Sequence, residues 1–213
     1  MFEISIHKMG QAVGSYVAQK ASRLEQAEML SYGAEILLGS VVKLTLLFSV
    51  AAFLHITYEV TVLLIVTGLV RILSGGAHCS AYYRCLITSI VVLAALGSAV
   101  KLMQPWLSVL PSIVLYGVIL LSLYLYWRYA PQAPPNKPFE NKASELTFRR
   151  CTLLAVVALS IVSIIVGPKN FMGWTMATAL LWQAFTLTPV GHKFIGSWDI
   201  LLSPKPKGGE VKW

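Results

Sequence analysis

Arg71-Ile-Leu-Ser-Gly-Gly-Ala-His-Cys-Ser-Ala-Tyr-Tyr-Arg-Cys85 separates two apolar runs with a glycine pair, a histidine, two cysteines and two arginines. The flanking runs, Tyr58 to Val70 and Leu86 to Val100, hold thirteen and fifteen residues. At 1.5 Å per residue they reach only about 20 and 22 Å as helices, whereas a hydrocarbon core is about 30 Å thick. Both runs can cross a bilayer only by drawing on the quoted stretch, which puts its ends at or just below the membrane surface.

Working outward, further apolar runs lie at Ile36 to Leu54, Trp106 to Trp127, Cys151 to Val166 and Phe171 to Leu187. The chain is 56% hydrophobic and 12% charged, about half the charge of an average soluble domain. The expected fold is an all-α integral membrane protein with six transmembrane or re-entrant helices. Residues 1–213 form one domain in this reading, comprising an amphipathic N-terminal segment (1–30), a helical bundle (31–190) and a cytoplasmic tail (191–213). Met9, Val13, Val17, Ala21 and Leu24 recur at helical spacing, as in an interfacial amphipathic helix, with a break expected near Gly10 or Gly14. Residues 1–30 carry no short apolar core followed by a small-residue cleavage site, so no signal peptide is expected.

Alternate connections differ in charge. Lys8, Lys20, Arg23, Arg71, Arg84, Arg128, Lys137, Lys142, Arg149, Arg150 and the four lysines after residue 190 fall on one side, against Lys101 and Lys169 on the other. The bias predicts a multi-pass cell-membrane protein with both termini and the quoted loop on the cytoplasmic side. Lys43 lies inside the first run. The net charge of +8 then reflects topology and anionic lipid rather than nucleic acid. Ala130 to Phe139 is too proline-rich to be helical and should run extended, as a linker or as a groove for a peptide, with composition favouring the linker.

A thiol becomes a nucleophile when its proton can leave to a nearby base. Cys85 opens the third run, where a helix N-terminus carries partial positive charge, and has Arg84 as its neighbour. His78 is the base the loop offers. On one straight helix, residues seven apart lie about 10 Å apart along the axis, too far for a proton-transfer contact. The chain must fold back, and Gly75-Gly76 supplies that freedom. A helix restarting near Ala81, with Cys85 in its first turns, is the predicted result. Cys79 competes as nucleophile but points elsewhere, while Cys151 reads as a small buried hydrophobe. Glu35 can pair with Arg71 or orient His78, and can equally be a first-turn carboxylate. Ordinary surface or interfacial roles are expected for His7, His192, His55 and Glu59. Asp199 is the sole aspartate, so no dyad can be made from two. No paired metal-ligand spacing supports a zinc site, and no cofactor motif is present.

With Arg71, Gly75-Gly76, His78 and Cys85 seven residues later, the chain resembles the accessory gene regulator B (AgrB-like) proteins of Gram-positive bacteria. Tyr32-Gly33-Ala34-Glu35, Ala130-Pro131 to Asn136-Lys137-Pro138, and Thr188-Pro189 add to the resemblance. It implies a membrane cysteine endopeptidase of quorum-sensing peptide maturation. Such an enzyme cleaves an AgrD-like propeptide near its C-terminal side through a Cys acyl-enzyme, which an internal nucleophile captures to give a cyclic thiolactone or lactone. By residue matching Cys85 is the nucleophile and His78 the base, with Arg71, Gly75, Gly76 and Glu35 in support. A homodimer is also implied. Cys79 is not part of the family motif. A transporter without protease activity is the runner-up, and would depend on charges within spans such as Lys43. A structural or receptor-like membrane protein is third.

Overall fold

The computed structural model describes residues 2–22, 24–107, 109–133, 138–139 and 141–203. Arg23, Asn136, Lys137 and the lysines after Ser203 lie outside the described residues. The described residues are helical without strands and divide into two compact units, residues 1–57 and 58–213.

In the first unit, α1 (Phe2–Lys20) packs on α2 (Ala27–Phe53). Gly10, Gly14 and Ala18 recur every fourth residue and so share one face. A Cβ on Gly14 would fall 2.3 Å from the Ser31 backbone, and one on Gly10 would fall 2.9 Å from Glu35. The expected break at these glycines does not occur: α1 runs through both, and their missing side chains serve close helix contact. The first apolar run also begins earlier than expected. Ala27 to Glu35 extend it into a 27-residue helix, so Tyr32-Gly33-Ala34-Glu35 lie inside α2 rather than before it.

The second unit is built around its most buried helix. It comprises α3 (Thr57–Ser74), α4 (Tyr82–Leu107), α5 (Ser112–Tyr129), α6 (Lys142–Val166), α7 (Phe171–Thr186) and α8 (Pro189–Leu201). Helix α7 packs against α4, α5, α6 and α8. Its small residues Gly173, Ala177, Ala179 and Ala184 are buried and admit neighbouring helices. Val100, Leu107, Leu115, Ile119, Trp174 and Ala177 form one apolar cluster. Tyr126 Oη donates to the Leu180 carbonyl at 3.2 Å, and Ser163 Oγ donates to that of Gly173 at 2.8 Å.

Among the described residues five helices, α2 to α6, are long and apolar enough to cross a membrane, as in a multi-pass membrane protein. Their bilayer-type surfaces carry exposed Leu37, Ile72, Leu102, Leu120 and Leu154. The sixth expected run becomes α7, whose 16 residues reach about 24 Å. Trp106, expected to open the fourth run, instead closes α4, which continues past Pro105, and α5 starts only at Ser112. Hydropathy does not register this boundary because both sides of it are apolar. Glu59, expected at the surface, is buried in the first turn of α3, where the helix dipole favours a carboxylate. Cys151, expected to be buried, is exposed on α6, since an apolar run does not reveal which face is covered.

The connections of this unit gather at two ends. Tyr58 and Phe171 stack with centroids 5.3 Å apart, and Tyr58 Oη meets Met172 Sδ at 3.1 Å. The starts of α3 and α7 therefore share one end. At the other, the Gln132 N–H after α5 donates to the Ser74 carbonyl ending α3 at 2.8 Å, while Asp199 of α8 meets Ser80 before α4.

Candidate functional site

Helix α3 stops at a glycine pair. The Gly75 N–H closes the last turn on the Arg71 carbonyl at 2.9 Å, and φ is +71° at Gly75 and +133° at Gly76. Side chains rarely adopt these conformations. Space forbids one as well, since a Cβ would meet the Gln132 carbonyl oxygen at 1.9 Å from Gly75 and Thr186 Oγ1 at 2.8 Å from Gly76. The next helix, α4, begins at Tyr82, with the Cys85 N–H making an early helical bond to Ala81 O at 3.1 Å. No straight helix joins Arg71 to Cys85, and Cys85 lies in the first turns of α4 as the glycine argument requires.

The intervening segment is stitched to α7. The Ala77 N–H donates to the Thr186 carbonyl at 3.2 Å. Gln183, 1% exposed, donates through Nε2 to Gly75 O at 2.8 Å and to Ser74 Oγ at 3.2 Å, while its Oε1 accepts from Arg71 Nη1 at 3.4 Å. Arg71 also donates to the Ala77 carbonyl and lies 3.3 Å from His78 Nδ1. The same guanidinium couples electrostatically to Cys85 and Cys79. Arg71 is thus the cation beside the histidine. Arg84, the expected neighbour for Cys85, turns to Asp199 instead.

The two thiols differ. Cys79 Sγ donates to Thr88 Oγ1 at 3.8 Å, whereas Cys85 Sγ lies 4.0 Å from Ser89 Oγ. Burial, with Cys85 and Asp199 nearby, pushes the Cys79 thiol up despite Thr88 and Arg71. Exposed His78 borders an open cavity of about 450 Å³ whose lining includes Arg71, Gly75, Gln132, Phe139 and Phe148. Residues 130–133 run non-helical, as their prolines predict, across a cis Ala130-Pro131 bond. Glu35, expected beside Arg71 or His78, has His7 Nδ1 as its partner at 2.9 Å within the first unit. Among the described residues, no three His, Cys, Asp or Glu side chains converge as a metal site would require.

The family model described as accessory gene regulator B matches residues 9–187, from α1 to the end of α7. The chain belongs to the accessory gene regulator B family. Similar relatives in this family include a putative AgrB-like protein of Clostridium perfringens, 22% identical over 82% of this chain and 87% of its own length. A putative AgrB-like protein of Halalkalibacterium halodurans is 24% identical over 91% and 90%. Accessory gene regulator protein B of Staphylococcus intermedius is 24% identical over 82% and 93%. No solved structure matches the chain.

Sequence reasoning missed three side chains at this AgrB-family site: Gln183, His192 and Asp199. His192 Nε2 meets Gln132 Oε1 at 2.9 Å, and Gln132 Nε2 donates to the Leu187 carbonyl at 2.6 Å. Asp199 accepts from Ser80 N–H and Oγ at 3.0 and 2.8 Å and from Arg84 Nη1 at 3.4 Å. Burial raises the Asp199 carboxyl, but these partners outweigh it and hold the group below its usual range. A polar Gln inside the apolar run of α7 was the one available signal, because a buried amide needs partners. His192 and Asp199 carried none.

Proposed function

We propose that this AgrB-family member is a membrane cysteine endopeptidase that matures an AgrD-like quorum-sensing propeptide, with Cys85 as nucleophile and His78 as general base. The observation that carries this reading is the glycine-terminated α3. It frees His78 from the helix of Cys85, and Arg71 lies 3.3 Å from His78 Nδ1.

In the proposed reaction, Cys85 Sγ attacks the scissile carbonyl as His78 takes the thiol proton. For that transfer, Nδ1 must exchange its arginine contact for the thiol, or the ring must turn. Collapse of the tetrahedral intermediate breaks the C–N bond, and His78 returns the proton to the leaving amine. The resulting thioester keeps much of its acyl reactivity. An internal thiol or hydroxyl of the peptide then attacks it and expels Cys85, closing a thiolactone or lactone with the proton passing back through His78. Holding that nucleophile close raises its effective concentration over water. Arg71 supplies positive charge where the thiolate forms, and the glycines shape the turn. Glu35 joins this reading as a supporting residue of the family motif.

In this topology both termini and the site face the cytoplasm, α7 is the sixth crossing and α1 lies in the interface. The single membrane domain works as a homodimer in lipid. Arg71, Arg84, Arg128, Lys142, Arg149 and Lys193 support that side, because the ends of α3, α5 and α7 meet there. The discriminating experiment is co-expression with a candidate propeptide followed by mass measurement of the product. Cys85→Ser and His78→Ala should lose the shortened peptide while remaining membrane-inserted, whereas Cys79→Ser keeps it. Processing by both of the first two variants would defeat the proposal.

A further inference from the structure

Helix α8 lies beyond the region matched by the family model and touches the glycine–histidine segment from two sides. His192 and Asp199 are seven residues apart and so lie on one face, about 10 Å apart along the axis. His192 holds Gln132, whose N–H caps the Ser74 carbonyl at 2.8 Å, where α3 ends. Asp199 grips the other side. One carboxylate oxygen accepts from the Ser80 N–H at 3.0 Å, and the other accepts from Ser80 Oγ at 2.8 Å and pairs with Arg84 at 3.4 Å.

The grip extends around Asp199. Arg84 Nη1 donates to Ser80 Oγ at 3.0 Å and to the Asp199 carbonyl at 3.4 Å, and its Nη2 reaches Ser203 Oγ at 3.4 Å. Its Nε donates to Tyr83 Oη at 3.0 Å, which in turn donates to the Leu202 carbonyl at 3.1 Å. Ser80 is thereby fixed between two thiols, with Cys79 immediately before it and Cys85 in the helix after it. A carboxylate bonded to both the N–H and the hydroxyl of one residue fixes that residue's rotation as well as its position. On either side of Ser80, Cys79 Sγ donates to Thr88 Oγ1 at 3.8 Å and the Cys85 N–H donates to Ala81 O at 3.1 Å.

We infer that Asp199 is a positioning residue: by clamping Ser80 and Arg84 it holds Cys79 against Thr88 and presents Cys85 as the reactive thiol of the pair. The inference rests on Cys85 as nucleophile, yet its test requires no peptide substrate. Asp199 acts through Ser80 and Arg84, and its negative charge also opposes ionisation of Cys79.

The test is alkylation of the full chain, purified in nanodiscs, by iodoacetamide at pH 7.5. Peptide mass spectrometry follows Cys79, Cys85 and, as an internal measure of general loosening, exposed Cys151. The wild-type chain should modify Cys85 about tenfold faster than Cys79, since the thiolate is the reacting form. Asp199→Asn should cut that ratio roughly fivefold or more with Cys151 unchanged, because a neutral amide lacks the charge that holds Arg84. Asp199→Glu, which keeps the charge, should hold the ratio within about twofold of wild type. An unchanged ratio in Asp199→Asn overturns the inference, as does an equal loss in Asp199→Glu. A parallel rise at Cys151 reduces the clamp to a stability contact and equally refutes it. The peptidase reading is judged separately, by propeptide processing in Cys85→Ser and His78→Ala.

Discussion

Replacing Gln183 by leucine tests whether the glycine turn depends on α7. Leucine is close in volume and fully apolar, so packing is nearly kept while the amide is lost. The Gly75 carbonyl then loses its 2.8 Å donor, and Arg71 loses its 3.4 Å acceptor. Ser74 Oγ retains a bond to Gly75 O at 3.2 Å, so its share of the loss is small. The Gly75 carbonyl keeps Ser74 Oγ as a donor, so the loss there is one net hydrogen bond of about 0.5–1.5 kcal/mol, and the weak charged contact adds roughly another 1 kcal/mol. The expected destabilisation is about 1.5–2.5 kcal/mol, which lowers the folding constant by roughly 10- to 70-fold. The assay is reversible SDS titration in mixed micelles, followed by far-ultraviolet circular dichroism. Gln104→Leu, on the exposed face of α4, serves as the control and should stay within about 0.5 kcal/mol of wild type. A Gln183→Leu change below about 0.5 kcal/mol would mean that the turn does not need this amide. Gln183→Glu separates bonding from charge. It keeps the acceptor for Arg71 but sets a carboxylate against the Gly75 carbonyl, so it should destabilise at least as much.

Gly75→Ala adds a left-handed penalty of about 1–2 kcal/mol to a clash in which its Cβ would fall 1.9 Å from the Gln132 carbonyl oxygen. The same titration should show a loss above about 2 kcal/mol, and a smaller value would contradict the local geometry. Gly14→Val sets a branched side chain where a Cβ alone would fall 2.3 Å from the Ser31 backbone. Limited proteolysis should then cut α1 at protease levels that spare the wild-type helix, and equal resistance would count against the packing described. Asp199 has a pH signature. Its folded carboxyl sits below the usual 3.8, so its stabilising contribution is complete above that value and is lost as pH falls through the depressed folded value. Asp199→Asn should therefore flatten the acid limb of stability below about pH 4 and leave the limb above pH 6 parallel to wild type; an identical acid limb would refute the ion-pair assignment.

The broken helix at Gly75-Gly76 was legible because the expected His78–Cys85 pairing needs a turn that seven residues of straight helix do not give, and glycine freely supplies one. The extended segment at Ala130-Pro131 was legible for a related reason, since proline excludes the helix. The partners of that turn were not. Gln183 is 112 residues from Arg71 and Asp199 is 119 from Ser80, and no local pattern links positions so distant. Gly10 and Gly14 were misread because glycine weakens an isolated helix yet permits the closest contact between two.

Composition and the lengths of apolar runs by themselves determined a helical membrane protein, since a bilayer core demands long helices with internally bonded backbones. The motif from Arg71 to Cys85 determined the family resemblance and where the helix must break. Only the tertiary structure decided that Arg71 lies between His78 and Gln183, that Arg84 belongs to Asp199, and that Cys79 is held by Thr88. Those assignments depend on which faces meet when α4, α7 and α8 pack. A one-dimensional pattern specifies the faces a helix has; the neighbour each one finds is set by packing across the whole unit.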